Sequence, residues 1–101
     1  MNYEYIKTTL PYSVRPDMVE TYSCNNGVCL KVICKLPITI LDEITKPLFF
    51  YINDKKAYLG DCLIKNNKVT AVFVLYETVP ASAVRSFAEK IRITRYMSNE
   101  R

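Results

Sequence analysis

The chain has four cysteines, and their spacing decides whether they could bind a metal ion or form a disulfide. Cys24, Cys29 and Cys34 recur every five residues, and Cys62 follows later. Four thiolates can hold zinc, but zinc patterns place cysteines in close pairs that a longer gap separates. Two neighbouring cysteines can instead form a disulfide where the fold brings their Cα atoms close together. The spacing argues against a metal site and leaves a disulfide as the sharper hypothesis.

That disulfide depends on the hairpin expected around Asn26-Gly27. The dipeptide favours a two-residue type I′ turn, because both central residues need a positive φ. With these two residues in the turn, Cys24 lies opposite Cys29 as a pair whose side chains are close. The sequence therefore predicts a disulfide between Cys24 and Cys29. Two reduced cysteines at a surface tip are the alternative.

The strand expected after this turn places Cys29 and Cys34 on opposite faces. Its alternating apolar residues are Val28, Leu30, Val32, Cys34 and Leu36. Alternate residues of a strand point to opposite faces, so this set is expected in the core and Cys29 toward solvent. Cys34 and Cys62 are then expected as small core residues, and no metal site is predicted.

The sequence offers little for catalysis. Histidine, the usual general base and the commonest metal ligand, is absent. There is no glycine-rich phosphate loop, and the closest carboxylates in sequence, Asp42 and Glu43, are adjacent at an expected turn. We therefore expect a protein that is not an enzyme and that needs no cofactor.

Basic residues are concentrated in the second half of the chain. The net charge is +4, and residues 1–50 contribute none of it because their charges cancel. Lysines beside expected turns and arginines along an expected helix could neutralise phosphates. The candidate nucleic-acid-binding residues are Lys65, Lys68, Arg85, Arg92 and Arg95. DNA or RNA binding through this half is the alternative prediction of function.

The preferred prediction is a small non-catalytic binding protein that acts through protein contacts. Ile93, Tyr96 and Met97 fall outside the apolar stripe of the expected terminal helix. An apolar patch of this kind suits a second copy of the chain or a partner protein. A homodimer is therefore expected, with no small-molecule cofactor and no membrane partner.

The elements that must position these residues favour an α+β fold. We expect a single globular domain over residues 1–101, with five or six mostly antiparallel strands within 2–77 forming a sheet or partly closed barrel. A second hairpin is expected around Asn66-Asn67, and Ile38 to Leu41 is expected to be extended. The chain would end in one amphipathic helix over about 80–96.

That helix is predicted from apolar residues at helical spacing, namely Val84, Phe87, Ala88 and Ile91. Pro80 suits the first position of such a helix. Arg92 and Arg95 suit the negative end of its dipole.

Composition favours a cytoplasmic protein of a cell or a virus-infected host, because no signal sequence or long apolar run is seen. The small size without a catalytic constellation is compatible with a viral or mobile-element protein. The lack of glutamine favours a thermophilic source, whereas seven asparagines and four cysteines favour the opposite. The source is left open.

Overall fold

The computed structural model describes the backbone of residues 3–5, 12–24, 27–47 and 49–98, and the side chains of residues 12–24, 27–47 and 49–94. This part of the chain is α+β, with one curled antiparallel sheet and two short helices. The strands are β1 (Tyr3–Tyr5), β2 (Tyr12–Val14), β3 (Met18–Cys24), β4 (Gly27–Pro37), β5 (Phe49–Ile52), β6 (Lys55–Lys65), β7 (Lys68–Leu75) and β8 (Ile91–Ser98). The helices are α1 (Leu41–Thr45) and α2 (Val84–Glu89), each preceded by a 3-10 turn.

All strand pairs of the sheet are antiparallel, in the order β1-β8-β5-β6-β7-β4-β3, and β2 also pairs with β8. The long strands β4, β6 and β7 lie side by side in the middle of this order. The described part thus has more strands than the five or six expected, because residues 91–98 form β8 instead of a helix and the short segment β2 pairs with it. None of its helices is long and apolar enough to span a bilayer.

One face of the sheet, which we call the inner face, carries the core. Phe50 and Phe73 meet there edge to face, with ring centroids 5.0 Å apart. The helices add Ile44 and Phe87, both buried in the same cluster. The strands supply most of the remaining buried side chains, which are Leu30, Val32, Cys34, Leu36, Ile52, Ala57, Val69, Ala71, Leu75, Ile91 and Ile93. Burial of this apolar surface is what holds the two helices against the sheet.

The register of the first hairpin differs from the prediction. Cys24 lies opposite Gly27, and Tyr22 lies opposite Cys29, so Cys24 and Cys29 are diagonal rather than facing partners. Gly27 starts β4 with a φ of 142°, a backbone conformation that favours glycine. The connecting residues 25–26 lie outside the described part. Because the register changes by two residues, each side chain keeps its predicted face.

The second hairpin forms as predicted around Asn66 and Asn67. Their φ values of 54° and 61° suit a type I′ turn, and they bring Lys65 opposite Lys68. The strand before this turn contains an irregularity between Leu59 and Asp61, where Gly60 is an extra residue.

The extra residue reverses the face of the strand residues that precede it. Tyr58 pairs with Val74 on the face opposite the core, although an unbroken strand would have placed it with Cys62 and the core residues. Gly60 suits the irregularity because a Cβ built there would lie 2.8 Å from Cγ2 of Val74. Tyr58 therefore belongs to the side of the sheet that faces away from the core.

The predicted terminal helix over about 80–96 is wrong beyond Glu89. Lys90 is extended, and residues 91–98 form β8 in the sheet. Ile91 and Ile93 are both buried, which is the period of two of a strand rather than the spacing of a helix. Ala88, assigned to the apolar stripe, is exposed. The apparent helical spacing arose because Ile91 happens to follow Phe87 by four residues.

The segment after β4 is also not extended as predicted. Ile38–Ile40 forms a 3-10 turn that leads directly into α1. Pro37, at the end of β4, has no N–H to continue the pairing of the sheet. The chain turns off the sheet there and buries Ile40 and Ile44 in the core.

Candidate functional site

The face of the sheet opposite the core, which we call the outer face, carries a mixture of lysines, aromatic rings and half-buried apolar side chains. The pairing of β4, β6 and β7 places on it Lys31, Ile33, Lys35, Tyr58, Asp61, Leu63, Lys65, Lys68, Thr70, Val72 and Val74. Both described helices place their buried side chains in the core on the inner face. The outer face is therefore the broad surface on which a ligand can meet the side chains of the sheet.

An aromatic cluster, formed by Phe49, Tyr51, Lys56, Tyr58 and Tyr76, occupies one end of the outer face. The rings of Tyr58 and Tyr76 lie 4.9 Å apart, and those of Phe49 and Tyr51 lie 5.7 Å apart. The Lys56 ammonium is 4.4 Å from the ring centroid of Phe49 and 5.4 Å from that of Tyr76. Tyr58 and Tyr76 are 39% and 58% exposed. The cluster thus presents ring surface and a positive charge together.

A second pairing of a lysine with a ring lies toward β3. The Lys31 ammonium is 5.2 Å from the ring centroid of Tyr22. The Tyr22 hydroxyl donates to Oε1 of Glu20 at 3.1 Å. Tyr22 raises the pKa of the Lys31 ammonium above its ordinary value, and Glu20 adds to the effect. Lys31 therefore stays charged at neutral pH.

Two grooves follow each other along the outer face. The upper groove, with a volume of about 450 Å³, lies beside the aromatic cluster and is lined by Glu20, Lys31, Ile33, Tyr58, Gly60, Asp61, Val72 and Val74. The lower groove, of about 460 Å³, lies beside the turn between β6 and β7 and is lined by Lys35, Lys65, Asn66, Lys68 and Thr70. We call this second groove the lysine groove. The outer face thus has aromatic rings at one end and a cluster of lysines at the other.

The outer face carries the information that the chain gives about its function. No protein-family model, curated protein or solved structure matches the chain. In the described part, no group of three or more His, Cys, Asp and Glu side chains is placed to hold a metal ion. The aromatic cluster and the lysine groove are therefore the features of the described part that indicate a binding function.

Of the predicted nucleic-acid-binding residues, the structure brings together Lys65 and Lys68, which face each other across the β6–β7 hairpin. Arg85 lies exposed on α2. Arg95 lies opposite Phe50 in β8, and its side chain is outside the described part. The arginines therefore do not line one border of a single helix, which was the basis for grouping them.

Arg92 lies at the other end of the sheet from the lysine groove. Its backbone N–H donates to Oδ1 of Asn53 at 3.0 Å, and its carbonyl accepts from the N–H of Asn53 at 2.9 Å. Asn53 belongs to the turn that starts β6, whereas Lys65 ends that strand. A strand of this length separates the two by roughly 30 Å. Arg92 and the lysine groove are two separate places on the molecule.

The predicted interface is not an apolar surface patch at Ile93, which is fully buried in the core. That part of the prediction is wrong because the residue belongs to a strand that faces the core. Tyr96 lies opposite Phe49 and Met97 opposite Glu4 in the sheet, and both side chains are outside the described part. A contact surface formed by Tyr96 and Met97 stays a prediction.

The predicted disulfide between Cys24 and Cys29 is confirmed, with the two Cα atoms 6.2 Å apart. Cys34 is a free thiol buried in the core, as predicted, and burial raises its pKa to about 12, with the Asp17 carboxylate adding to the effect. Cys62 is a free, partly buried thiol, and burial followed by Asp61 raises its pKa. A raised pKa lowers the fraction of the reactive thiolate at neutral pH for both free thiols.

We expect thiol titration to separate the four cysteines. In native protein without reductant, Cys62 should react slowly with DTNB, and Cys34 should react only when the protein unfolds. Two thiols should be counted in denaturant, and four after reduction. Four thiols in unreduced, unfolded protein would contradict the disulfide. The Cys62→Ala variant is the control that assigns the slow native reaction.

Neither the aromatic cluster nor a role for Lys31 was predicted from the sequence. Lys31 alternates in sequence with the core residues Leu30 and Val32, so its position on the solvent side of the strand could have suggested a role. The meeting of Lys56 with Phe49 and Tyr76 joins residues from three separate segments of the chain. Spacing within one strand carries no signal for such a contact.

Proposed function

We propose that the protein binds single-stranded nucleic acid on its outer face. The observation that carries the proposal is the Lys56 ammonium between the rings of Phe49 and Tyr76, with Tyr58 against Tyr76 on the same exposed surface. Bases stack on such rings and phosphates are attracted to the neighbouring lysines. No cofactor and no catalytic step are part of this function.

Stacking is the physical basis of the proposal. Each base that stacks on an aromatic side chain contributes about 1–3 kcal/mol, and the contact tolerates any sequence because every base has a π face. Tyrosine also loses little conformational entropy when a ligand binds, since it has only two side-chain torsions. The exposed fractions of Tyr58 and Tyr76 leave ring surface for this contact.

The architecture favours an unpaired strand over a duplex. Proteins that read the major groove commonly insert a helix or a two-stranded ribbon. The described helices are only five and six residues long and contribute to the core through Ile44 and Phe87. A broad sheet with exposed rings is instead the kind of surface on which unstacked bases are bound.

Fluorescence anisotropy tests the proposal with labelled oligo(dT) and oligo(U) of about 12 nucleotides, within the usual site sizes. Both strands should bind, and binding should weaken between about 50 and about 200 mM NaCl because lysine contacts release counterions. A duplex of the same length is the matched control and should bind more weakly. If neither single strand binds at the lower salt concentration, the proposed function is refuted.

Self-association through protein contacts is the second candidate function. Leu63 and Ile64, at the end of β6, are 59% and 57% exposed, which is unusual for adjacent large apolar residues. A second copy that covered them would remove this surface from water. Sedimentation at several concentrations distinguishes the two functions. Ile64 pairs with Val69 on the side of the sheet opposite the outer face, so Ile64→Ser should weaken any dimer without weakening oligonucleotide binding by monomer.

A further inference from the structure

The lysine groove places two like charges directly opposite each other. Lys65 and Lys68 flank the two-residue turn of Asn66 and Asn67, so they form a facing pair with Cα atoms about 5.5 Å apart. Like charges at such positions destabilise a sheet. Among the described residues, neither ammonium has a carboxylate within 4.0 Å. The repulsion is therefore not relieved by an ion pair within the described part.

Lys35 adds a third ammonium on the same face. It lies opposite Thr70 in β7 and is therefore a diagonal neighbour of Lys68, about 7–8 Å away by sheet geometry. Its Nζ is 4.0 Å from Oδ1 of Asp17, and both side chains are about half exposed or more. An exposed pair at this distance contributes little, so Lys35 remains open to another anion.

The groove continues the surface that carries the aromatic cluster. Val74, beside Tyr58, and Lys68 are six residues apart on β7 and lie on the same face, which corresponds to roughly 20 Å. Lys31 lies opposite Val74 on the neighbouring strand β4 and so adds a positive charge at the end of the path beside the aromatic cluster. Two acidic residues, Asp61 and Glu20, line the upper groove on this path. Oδ1 of Asp61 accepts a hydrogen bond from the N–H of Cys62 at 2.8 Å, and Oε1 of Glu20 accepts from the Tyr22 hydroxyl. An extended strand can follow this surface from rings to lysines.

We propose that the lysine groove is a phosphate subsite, so that the ligand of the outer face is an extended single strand of several nucleotides with its bases on the aromatic cluster and its backbone on Lys35, Lys65 and Lys68. This inference rests on the proposed function and specifies its ligand. Three ammonium groups around one groove match the charge of adjacent phosphates. A mononucleotide is too short to reach both ends of the surface.

The test compares wild-type protein with Lys65→Ala combined with Lys68→Ala, using oligo(dT) of about 4 and about 12 nucleotides. Each phosphate contact to a single strand contributes about 0.7 to the slope of log K against log salt. Loss of two contacts should lower the slope for the longer strand by about 1.4. Between about 50 and about 200 mM NaCl, wild-type affinity should then fall roughly sevenfold more than that of the variant. The gain in affinity from the shorter to the longer strand should also shrink.

Lys46→Ala combined with Lys90→Ala removes the same net charge away from the outer face, since these exposed residues follow α1 and α2. This control should leave the slope unchanged. If wild type binds oligo(dT) but the groove variant keeps its slope, or the control loses as much, the subsite is refuted and the proposed function stands. If wild type binds neither strand at about 50 mM NaCl, both fail. Direct binding of pyrophosphate by wild type but not by the groove variant, in the absence of strand binding, would identify a free anion as the ligand and overturn the inference.

Discussion

Replacing Tyr58 and Tyr76 together by alanine is expected to weaken the binding of single-stranded oligo(dT) by about 5- to 150-fold for each base that loses its ring. The two rings lie 4.9 Å apart and are exposed, so they form one stacking surface at the end of the outer face. Their removal takes away stacking and leaves Lys56 in place. The salt dependence of binding should therefore change little, whereas the affinity at every salt concentration should fall.

Phenylalanine at the same two positions is the matched control. It keeps the rings and removes the hydroxyls, so affinity should stay within about threefold of wild type. Circular dichroism should show that both double variants fold, because side chains this exposed contribute little to the core. Equal affinities of the alanine and wild-type proteins would place the bases elsewhere and remove the main support for the proposed function.

Phe73→Ala is expected to lower the free energy of unfolding by about 3–5 kcal/mol, the usual cost of deleting a buried aromatic side chain. Phe73 is fully buried in a central strand and meets Phe50 edge to face. A domain of this size has a total stability of about 5–15 kcal/mol. The variant should therefore unfold at a much lower urea concentration, and it should lose a large part of the native stability.

Val72→Ala provides the comparison on the same strand. Val72 is the neighbour of Phe73 in sequence, and its side chain lies half-buried on the outer face. Its truncation should cost about 1 kcal/mol or less, because less surface is lost and no large cavity forms. Similar shifts in the urea midpoint for the two variants would mean that the inner face is not the main core.

The sequence predicted the central hairpins better than the ends of the fold. Asn66 and Asn67 identify their turn because both tolerate the positive φ that a type I′ turn requires. At the first hairpin the same reasoning placed Gly27 inside the turn, whereas it starts β4 and pairs with Cys24. The disulfide was still predicted correctly, because a register change of two residues keeps both cysteines on one face.

The terminal strand shows why a local pattern can mislead. The stretch from Val84 to Ile91 matches helical spacing, and the stretch from Ile91 to Thr94 also matches the alternation of a strand. Pairing with β5 decides in favour of the strand, since it buries Ile91 and Ile93 in the core. Pairing across forty residues of chain is tertiary information that spacing does not contain.

The candidate site could be predicted only in part. Lys65 and Lys68 were identified because they flank a recognisable turn, and that placement is local. The aromatic cluster was missed because Lys56, Phe49 and Tyr76 meet only when separate strands are aligned. A turn can be inferred from two residues, whereas a surface formed by several strands requires their order in the sheet.

The extra residue Gly60 also determines which changes of length the hairpin of β6 and β7 can tolerate. Tyr58 and Lys65 are an odd number of positions apart, and yet they lie on one face of the sheet. A uniform strand would have pointed them in opposite directions. Gly60 therefore shifts the alternation of side chains by one residue between the two halves of β6. Deletion or insertion of one residue there would move the side chains of one half of β6 to the opposite face, whereas a change of two residues would leave every side chain on its present face. The single extra residue is therefore what places the aromatic rings and the lysines on one surface.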